Sequence, residues 1–584
     1  MATTGDVELT ILDGTAGVVI VPSSQVQVVI GCATSGPVGL IVATRSLTTL
    51  TTTFTNGPLC EAAGLTIQAG GTVLAMRCTT AVAGVIVGAS QVVPAVTTAS
   101  TTSPIVITSP AHGLVTGDVV TIGGVAGQTG ANGTFPIVVL TSSTFSLTGS
   151  ATVSAYVSGG TIAFTGSVQT GTGTSAITYT GVPLDDYNLM TQIVTGGTVG
   201  SAGVTIKISL DAGRNFGPTI SLGTAISYAI PGTGLTVNFA TSKTLVATDY
   251  ARCSTIAPAW NNAGLTIALA ALASSPYAQT GWGSIHIVGV AASADATAVQ
   301  TSGSTSLDSM ATGHIYTAAI MSWRDASPPT AWGGTGETEA AWMTAILADT
   351  VATSCKRISA AAGYYNMPSA FPTAVASTPR YRRPLAWAYA ARQVTIPAQR
   401  HAGRVKDGAL AQILMDPSRD PADGFIYHDE RITPALDFVT GGAGRFTSAR
   451  TRVGLGSSGG FFIVNPLMLS PFGSDFIAIY SRLVMDVACT IAHQIGQSVV
   501  NDDLRTNQNG TLSDADARAI KSAMTAALGA AMTAVAMVSA VKVSVDQTQN
   551  ILITKTVLMT VAILGKAYAL EEDIMLGFTN ALAA

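Results

Sequence analysis

At 584 residues, with a formal net charge of -4 and only 10% charged residues, the chain sits far below the roughly 25% charge of ordinary soluble domains. The small net charge gives no support to polyanion binding, which excludes nucleic acid as a direct partner. The 47% hydrophobic content is broken by polar residues every few positions, so no run reaches the roughly twenty apolar residues of a membrane span and no membrane insertion is expected. A chain this long divides into about two to four domains, and a surface so poor in charge points to cover by other subunits.

The first 22 residues, with Asp6, Glu8 and Asp13 where a signal peptide would be apolar, carry an acidic strand at Asp6–Leu12, and synthesis in the cytoplasm is expected. Gly17–Gly39 gives two strand-like runs around a Pro22-Ser-Ser turn. Phe54–Cys78 reads as a turn, a short helix, a GG turn and a buried strand. An early apolar strand followed by Gly31, Ala33, Gly36 and Pro37, then a helix, then Gly70, Gly71 and a strand ending at Arg77, resembles the opening of contractile-tail sheath proteins of bacteriophages and related injection machines.

Between 92 and 165 the texture changes to Thr, Ser, Val and Gly, and short strands between Gly-rich turns predict a small β-barrel or sandwich. This block resembles a β-module that recurs as an insertion in phage structural proteins. His112, in its first turn, reads as a surface or packing residue. Residues 166–273 form a second expected β-domain. Within it Ser209, Asp211, Gly213 and Phe216 resemble an Asp-box, a motif that fixes a hairpin turn and carries no catalysis.

From 274 to 440, Ser284–Ala292, Gly313–Trp323, Lys356–Asn366 and Pro384–Val394 read as strands. They are separated by helical candidates such as Glu337–Ala352, which predicts an α/β layer. The charge-rich part follows, with Arg380, Arg382, Arg383, Arg400, Arg404 and Lys406 against Asp407, Asp416, Asp420 and Asp423. A solvated loop is one reading. The other makes Arg380, Arg382, Arg383, Arg404, Asp420 and Asp423 inter-subunit charges that set register.

Residues 441–570 begin with Arg450, Arg452 and a Gly-rich turn, then a strand ending at Asn465-Pro466, then Asp475 and a helix carrying Arg482 and Asp486. That order resembles the second half of sheath proteins. Ser474 is the expected N-cap of this long amphipathic helix, and Ser513, with Asp516 at N3, caps a second one. Val538–Val545 and Asn550–Leu564 read as strands, and Asp573–Ala584 as an apolar terminal strand that needs a partner sheet.

Enzymatic signals are weak. Gly454–Gly460 satisfies both GxGxxG and GxSxG, with Ser458 in the nucleophile position, but a strand rather than a helix follows. His401, His428 and His493 are not placed near it by the sequence, and Phe425–Arg431 reads as a loop ion-pair group. The Asn132 and Asn509 sequons lie in turns. No metal-ligand spacing occurs, and no cofactor is expected. Cys32, Cys60, Cys78, Cys253, Cys355 and Cys489 are scattered. They read as buried reduced thiols, or as thiols that pair between subunits in an oxidising medium.

Together the readings give an α+β multidomain chain. An α/β sheath core is assembled from the segments 23–91, 274–440 and 441–570, with inserted β-domains at 92–165 and 166–273 and strand-exchange arms at 1–22 and 571–584. Val7, Leu9 and Ile11, and Ile574, Leu576 and Phe578, are the arm residues. The resemblance implies a non-enzymatic subunit of a helical homopolymer in the virion tail, assembled in the host cytoplasm. Its other partners would be tail tube, baseplate and tail-terminator proteins. The rival readings are a tail-surface adhesin, or a serine or glycan hydrolase.

Overall fold

The computed structural model describes residues 25–87, 94–110, 112, 114, 119–164, 168–279, 281–291, 293–324, 337–350, 354–372, 379–413, 445–451, 460–471 and 473–568. The arm residues Val7, Leu9, Ile11, Ile574, Leu576 and Phe578 lie outside these, as do Asp420, Asp423, Arg452, Ser458, His428 and the Phe425–Arg431 cluster.

The chain is an α+β multidomain protein organised on a seven-stranded sheet. Its strand order is Ile41–Thr44, Thr72–Arg77, Val26–Gly31, Ser284–Ala291, Ala319–Trp323, Ile358–Ala361 and Phe446–Thr447. All neighbours are parallel except the first pair. Parallel strands need covered faces. Helices α1 (Leu47–Phe54) and α2 (Pro58–Gln68) come early, α3 (Asn262–Ala273) comes just before the sheet resumes, and α4 (Ser293–Thr312), α5 (Glu339–Thr350) and α6 (Leu385–Gln393) come after it. α2 packs with α6 on one face, while α3, α4 and α5 pack in sequence on the other. Strands such as Ala319–Trp323 are consequently buried along their whole length.

The resemblance motif at the start of the chain has a physical basis. Gly36 has φ +92°, and an added Cβ would lie 2.6 Å from the Phe54 ring, so only glycine fits this turn. Arg77 Nη1 donates to Gly36 O at 2.8 Å, which ties the end of its strand to the same turn. Gln27, fully buried in an otherwise apolar strand, donates to Ser284 Oγ and Ala390 O and accepts from Thr66 Oγ1 at 3.0 Å. The first strand is thereby bonded to elements up to 363 positions away.

Between Thr72–Arg77 and α3 lie two β-rich assemblies. The first is a six-stranded antiparallel sheet from Thr98–Ala99 to Thr161–Phe164, with a core of its own that includes Ile107, Val120, Phe145 and Leu147. His112 is a packing residue there: it is buried, and its ring meets Phe145 edge-on at 5.1 Å. The second combines the sheet that contains Asn188–Thr195, Thr205–Ser209 and Tyr250–Ile256 with a three-stranded sheet, Ile177–Gly181, Leu235–Phe239 and Ser227–Ile230. Tyr381 of the α/β body completes its core. The Asp-box forms the expected turn. Ser209 Oγ donates to Asp211 Oδ1 at 2.7 Å, which also accepts from Asn215 N, and Arg380 N donates to Asp211 Oδ2 at 3.1 Å.

Four expectations are corrected. Pro384–Val394 is largely helix, not strand, because a run of Ala and Leu follows Pro384 at the N-cap; it is buried all round, so no amphipathic period marks it. The second β-domain does not extend to 273. Asn261 caps α3 by accepting from Gly264 N at 2.9 Å, and Leu265, Leu269 and Leu272 belong to the main core. The helix expected from Ser474 starts at Ile479, because Ala478 bridges Leu467 and Ser474 Oγ instead accepts from Phe476 N. Asn550–Leu564 is not one strand: Asn550 Oδ1 accepts from Leu552 N, Ile551–Thr554 forms a helical turn that Lys555 ends at φ 55°, and the strand is Met559–Leu564.

Candidate assembly site

The last described part of the chain is built on α7 (Ile479–Gln497) and α8 (Asp514–Leu528). Pro466 O accepts from Ile479 N at 2.9 Å to start α7, and Ser513 Oγ accepts from Asp516 N at 3.2 Å to cap α8 as expected. Apolar residues at helical spacing, including Val484, Val487 and Ile491, face Met524, Leu528 and Met532. On this layer lies an antiparallel ribbon, Ala540–Val545 with Met559–Leu564. Val543 is buried, and Val541, Met559, Val561 and Ile563 pack inward, while Lys542, Ser544, Thr560 and Ala562 face out.

Among the described residues neither ribbon strand has a second neighbour. Asp546 N donates to Leu558 O at 2.9 Å. The alternation of an antiparallel ladder therefore turns the N–H groups of Val541, Val543 and Val545 to one open edge, and those of Met559, Val561 and Ile563 to the other. Around the ribbon, Val535, Leu552, Ile553, Leu558 and Leu564 are exposed, Ile553 by 78%. Open edges beside exposed aliphatics can take up further strands through main-chain bonds.

The α7 layer is fixed to the α/β body by charge. Asp486 Oδ1 accepts from Arg482 Nη2 at 2.5 Å and from Arg357 Nη1 at 3.1 Å, and Arg357 Nε donates to Asp308 Oδ1 at 3.1 Å. Arg482 and Asp486, both quoted in the resemblance, thus meet one turn apart on α7. Arg357 was missed in the sequence, because a single Arg before an apolar strand carries no signal. Arg450 lies in the strand Ala449–Thr451, and Asp475 is exposed.

The candidate inter-subunit charges separate. Arg383 is not a surface charge: it is 2% exposed, and Nη1 and Nη2 donate to Asp185 Oδ1 and Oδ2 at 2.8 and 2.6 Å. The carboxylate it needs lies across the body in the second β-assembly, a pairing that an apparent charge run does not reveal. Its guanidinium also lies over the Tyr381 and Trp387 rings. Partly buried Glu61 is close by, accepting from Ser369 Oγ and Ala370 N; burial pushes its carboxyl up to about 7, against the pull of Arg383. Arg382 lies over Tyr364 at 4.5 Å. Arg400 and Arg404 share Asp407 at 3.3 and 3.1 Å, and Arg404 remains exposed.

All six cysteines are free thiols. Cys32, Cys60, Cys78, Cys253 and Cys355 are buried and Cys489 half-buried. Burial holds Cys60 and Cys78 up at about 12, which suits inert packing residues. Among the described residues no group of three metal-ligating side chains converges, and no helix is long and apolar enough to cross a membrane.

Residues 104–164 match the family model of the ubiquitin-activating enzyme E1 FCCH domain. A comparison with curated proteins finds no match. Among solved structures the chain is similar to the sheath tail protein of Listeria innocua, at 11% identity over 94% of this chain and 95% of that one, TM-score 0.36. It is also similar to the sheath tail protein of Desulfitobacterium hafniense, at 9% identity over 96% of this chain and 100% of that one, TM-score 0.38. A chain of the anti-feeding prophage baseplate covers 56% of this chain and 76% of its own length at 14% identity, TM-score 0.34. The resemblance read in the sequence is to the same kind of protein.

Proposed function

We propose that this protein is the structural subunit of a contractile tail sheath. It polymerises helically around a tail tube and contracts, when a baseplate triggers it, to drive the tube through a cell envelope. The observation that carries this reading is the two-edged ribbon, Ala540–Val545 with Met559–Leu564, beside exposed aliphatics in a chain with only 10% charged residues. Terminal arms from neighbouring copies, residues 1–22 and 571–584, would complete the ribbon on either side. Main-chain bonding of added strands lets subunit bodies pivot without losing connection. Contraction then draws on the free-energy difference between two packings and needs no nucleotide. A tail-terminator protein would close the far end of the polymer.

Negative-stain microscopy of the purified chain tests this. The full chain should form long striated cylinders, and chains lacking residues 1–22 or 573–584 should not. Discrete monomers or trimers from the full chain would instead favour an adhesin. Loss of a hydrolytic activity on Ser458→Ala, with cylinders intact, would favour an enzyme.

A further inference from the structure

A cavity of about 550 Å³ lies between the α/β body and α7, with Trp282, His314, Tyr316, Gln393, Asp486 and His493 in its wall. Two of these side chains are more than nine-tenths buried yet incompletely bonded. Gln393 is 2% exposed, and neither its Nε2 nor its Oε1 has a partner; Asp486 is 5% exposed, and its Oδ2 has none. A buried polar atom left unpaired is destabilising, so three of them in one cavity mark a place built to be filled.

The chemistry of the filler follows from the charges. Asp486 already faces Arg357 and Arg482 through Oδ1, and Arg357 also faces Asp308, so two cations balance two anions. A charged guest would upset that balance. Gln393 offers one donor group and one acceptor, and Asp486 Oδ2 asks for one N–H. A neutral amide offers both kinds of group: its C=O takes the Gln393 N–H, a peptide N–H reaches one of the two oxygens, Asp486 Oδ2 or Gln393 Oε1, and a carboxamide NH2 reaches both. The Trp282 indole, anchored by its own bond to Thr317 Oγ1 at 3.0 Å, and Leu483 and Val487 supply apolar wall around it. The imidazoles of His314 and His493, stacked at 3.6 Å, form a planar border.

We infer that this cavity binds a neutral amide presented by a polypeptide, either a main-chain peptide group or an Asn or Gln carboxamide. The site goes beyond the ribbon edges, where bonding would be strand to strand.

Saturation-transfer NMR on the full-length protein tests it with N-methylacetamide, methylguanidinium and acetate as probes. The neutral amide should give the strongest transfer, and Gln393→Leu and Gln393→Glu should each reduce it at least fivefold while circular dichroism stays unchanged. Sedimentation then separates the sources. If the neutral amide weakens self-association, the natural guest is a second copy; if it binds without that effect, the guest is a different polypeptide. Equal transfer from all three probes, or transfer unchanged by both substitutions, would overturn the inference and leave the cavity to water. Normal cylinders formed by a chain that fails this test would leave the sheath reading standing.

Discussion

Replacing Arg383 by Met tests whether the buried ion pair is what fastens the second β-assembly to the α/β body. The guanidinium and its Asp185 partner are 2% and 3% exposed at the side chain, so removal of one leaves the other without water or countercharge. Uncompensated buried charges of this kind cost about 3–5 kcal/mol. Because a chain with several cores does not unfold in one step, the suitable assay is native-state hydrogen exchange in the strands Asn188–Thr195 and Tyr250–Ile256, whose opening free energy is local. At 1.36 kcal/mol per decade, the opening constant should rise by about two to nearly four orders of magnitude. The double variant Arg383→Met/Asp185→Leu should recover most of that loss, since apolar replacement of a whole pair is close to neutral. A single-variant rise below about tenfold (1.4 kcal/mol), or a double variant as open as the single one, would refute the reasoning. The pH dependence carries a sign of its own. Glu61 is raised from 4.5 to about 7 in the fold, so the folded state binds more protons than the unfolded state between those values. Stability at this junction therefore declines as pH rises through that window, and more steeply once Arg383 is gone.

Three further outcomes follow from the geometry. His286 is fully buried in the central sheet with neither ring nitrogen partnered, and burial lowers its pKa to about 3; His286→Leu should stabilise the body by about 1–2 kcal/mol, read as slower native-state exchange of the Ser284–Ala291 amides at neutral pH. Ser513→Ala removes the α8 cap and should cost about 1 kcal/mol, read as faster exchange of the first-turn amides of α8. Proline at Val541 or at Ile563 deletes an outward N–H on one ribbon edge while sparing the inner ladder. Each should shorten or abolish cylinders in negative stain with β-content preserved, and unchanged cylinders from both variants would count against strand addition at the ribbon.

Much of the fold was legible where local chemistry decides it. The Gly36 turn, the α2 helix, the Asp-box turn and the Ser513 cap each depend on residues within a few positions, and each formed as read. The α/β layer was visible as strands alternating with helices, though not the parallel pairing that joins it to the early strands. What escaped were elements whose environment is set from afar. The α6 helix is buried on every side by distant segments, so its composition carried no period. Lys555, at a positive φ, interrupts a run whose alternation alone says strand. At the candidate sites the same division holds: Val538–Val545 and the end of Asn550–Leu564 were legible as strands though not as a pair, whereas Arg383 looked like a member of a surface cluster because Asp185, its partner, stands 198 positions earlier. Gln393 and Asp486 became a pair of interest only when the fold put them on one cavity wall.

The strand Val26–Gly31 lies between Thr72–Arg77 and Ser284–Ala291, so one of its two neighbours does not exist until the ribosome has passed residue 291. At synthesis rates of about 5–20 residues per second, the centre of the main sheet waits on the order of 13–50 s for its partner. The first β-assembly can close in that interval, whereas the second waits for Tyr381 to complete its core. The order of synthesis thus acts as a timer: a module with a core of its own can form early, and the α/β body condenses late.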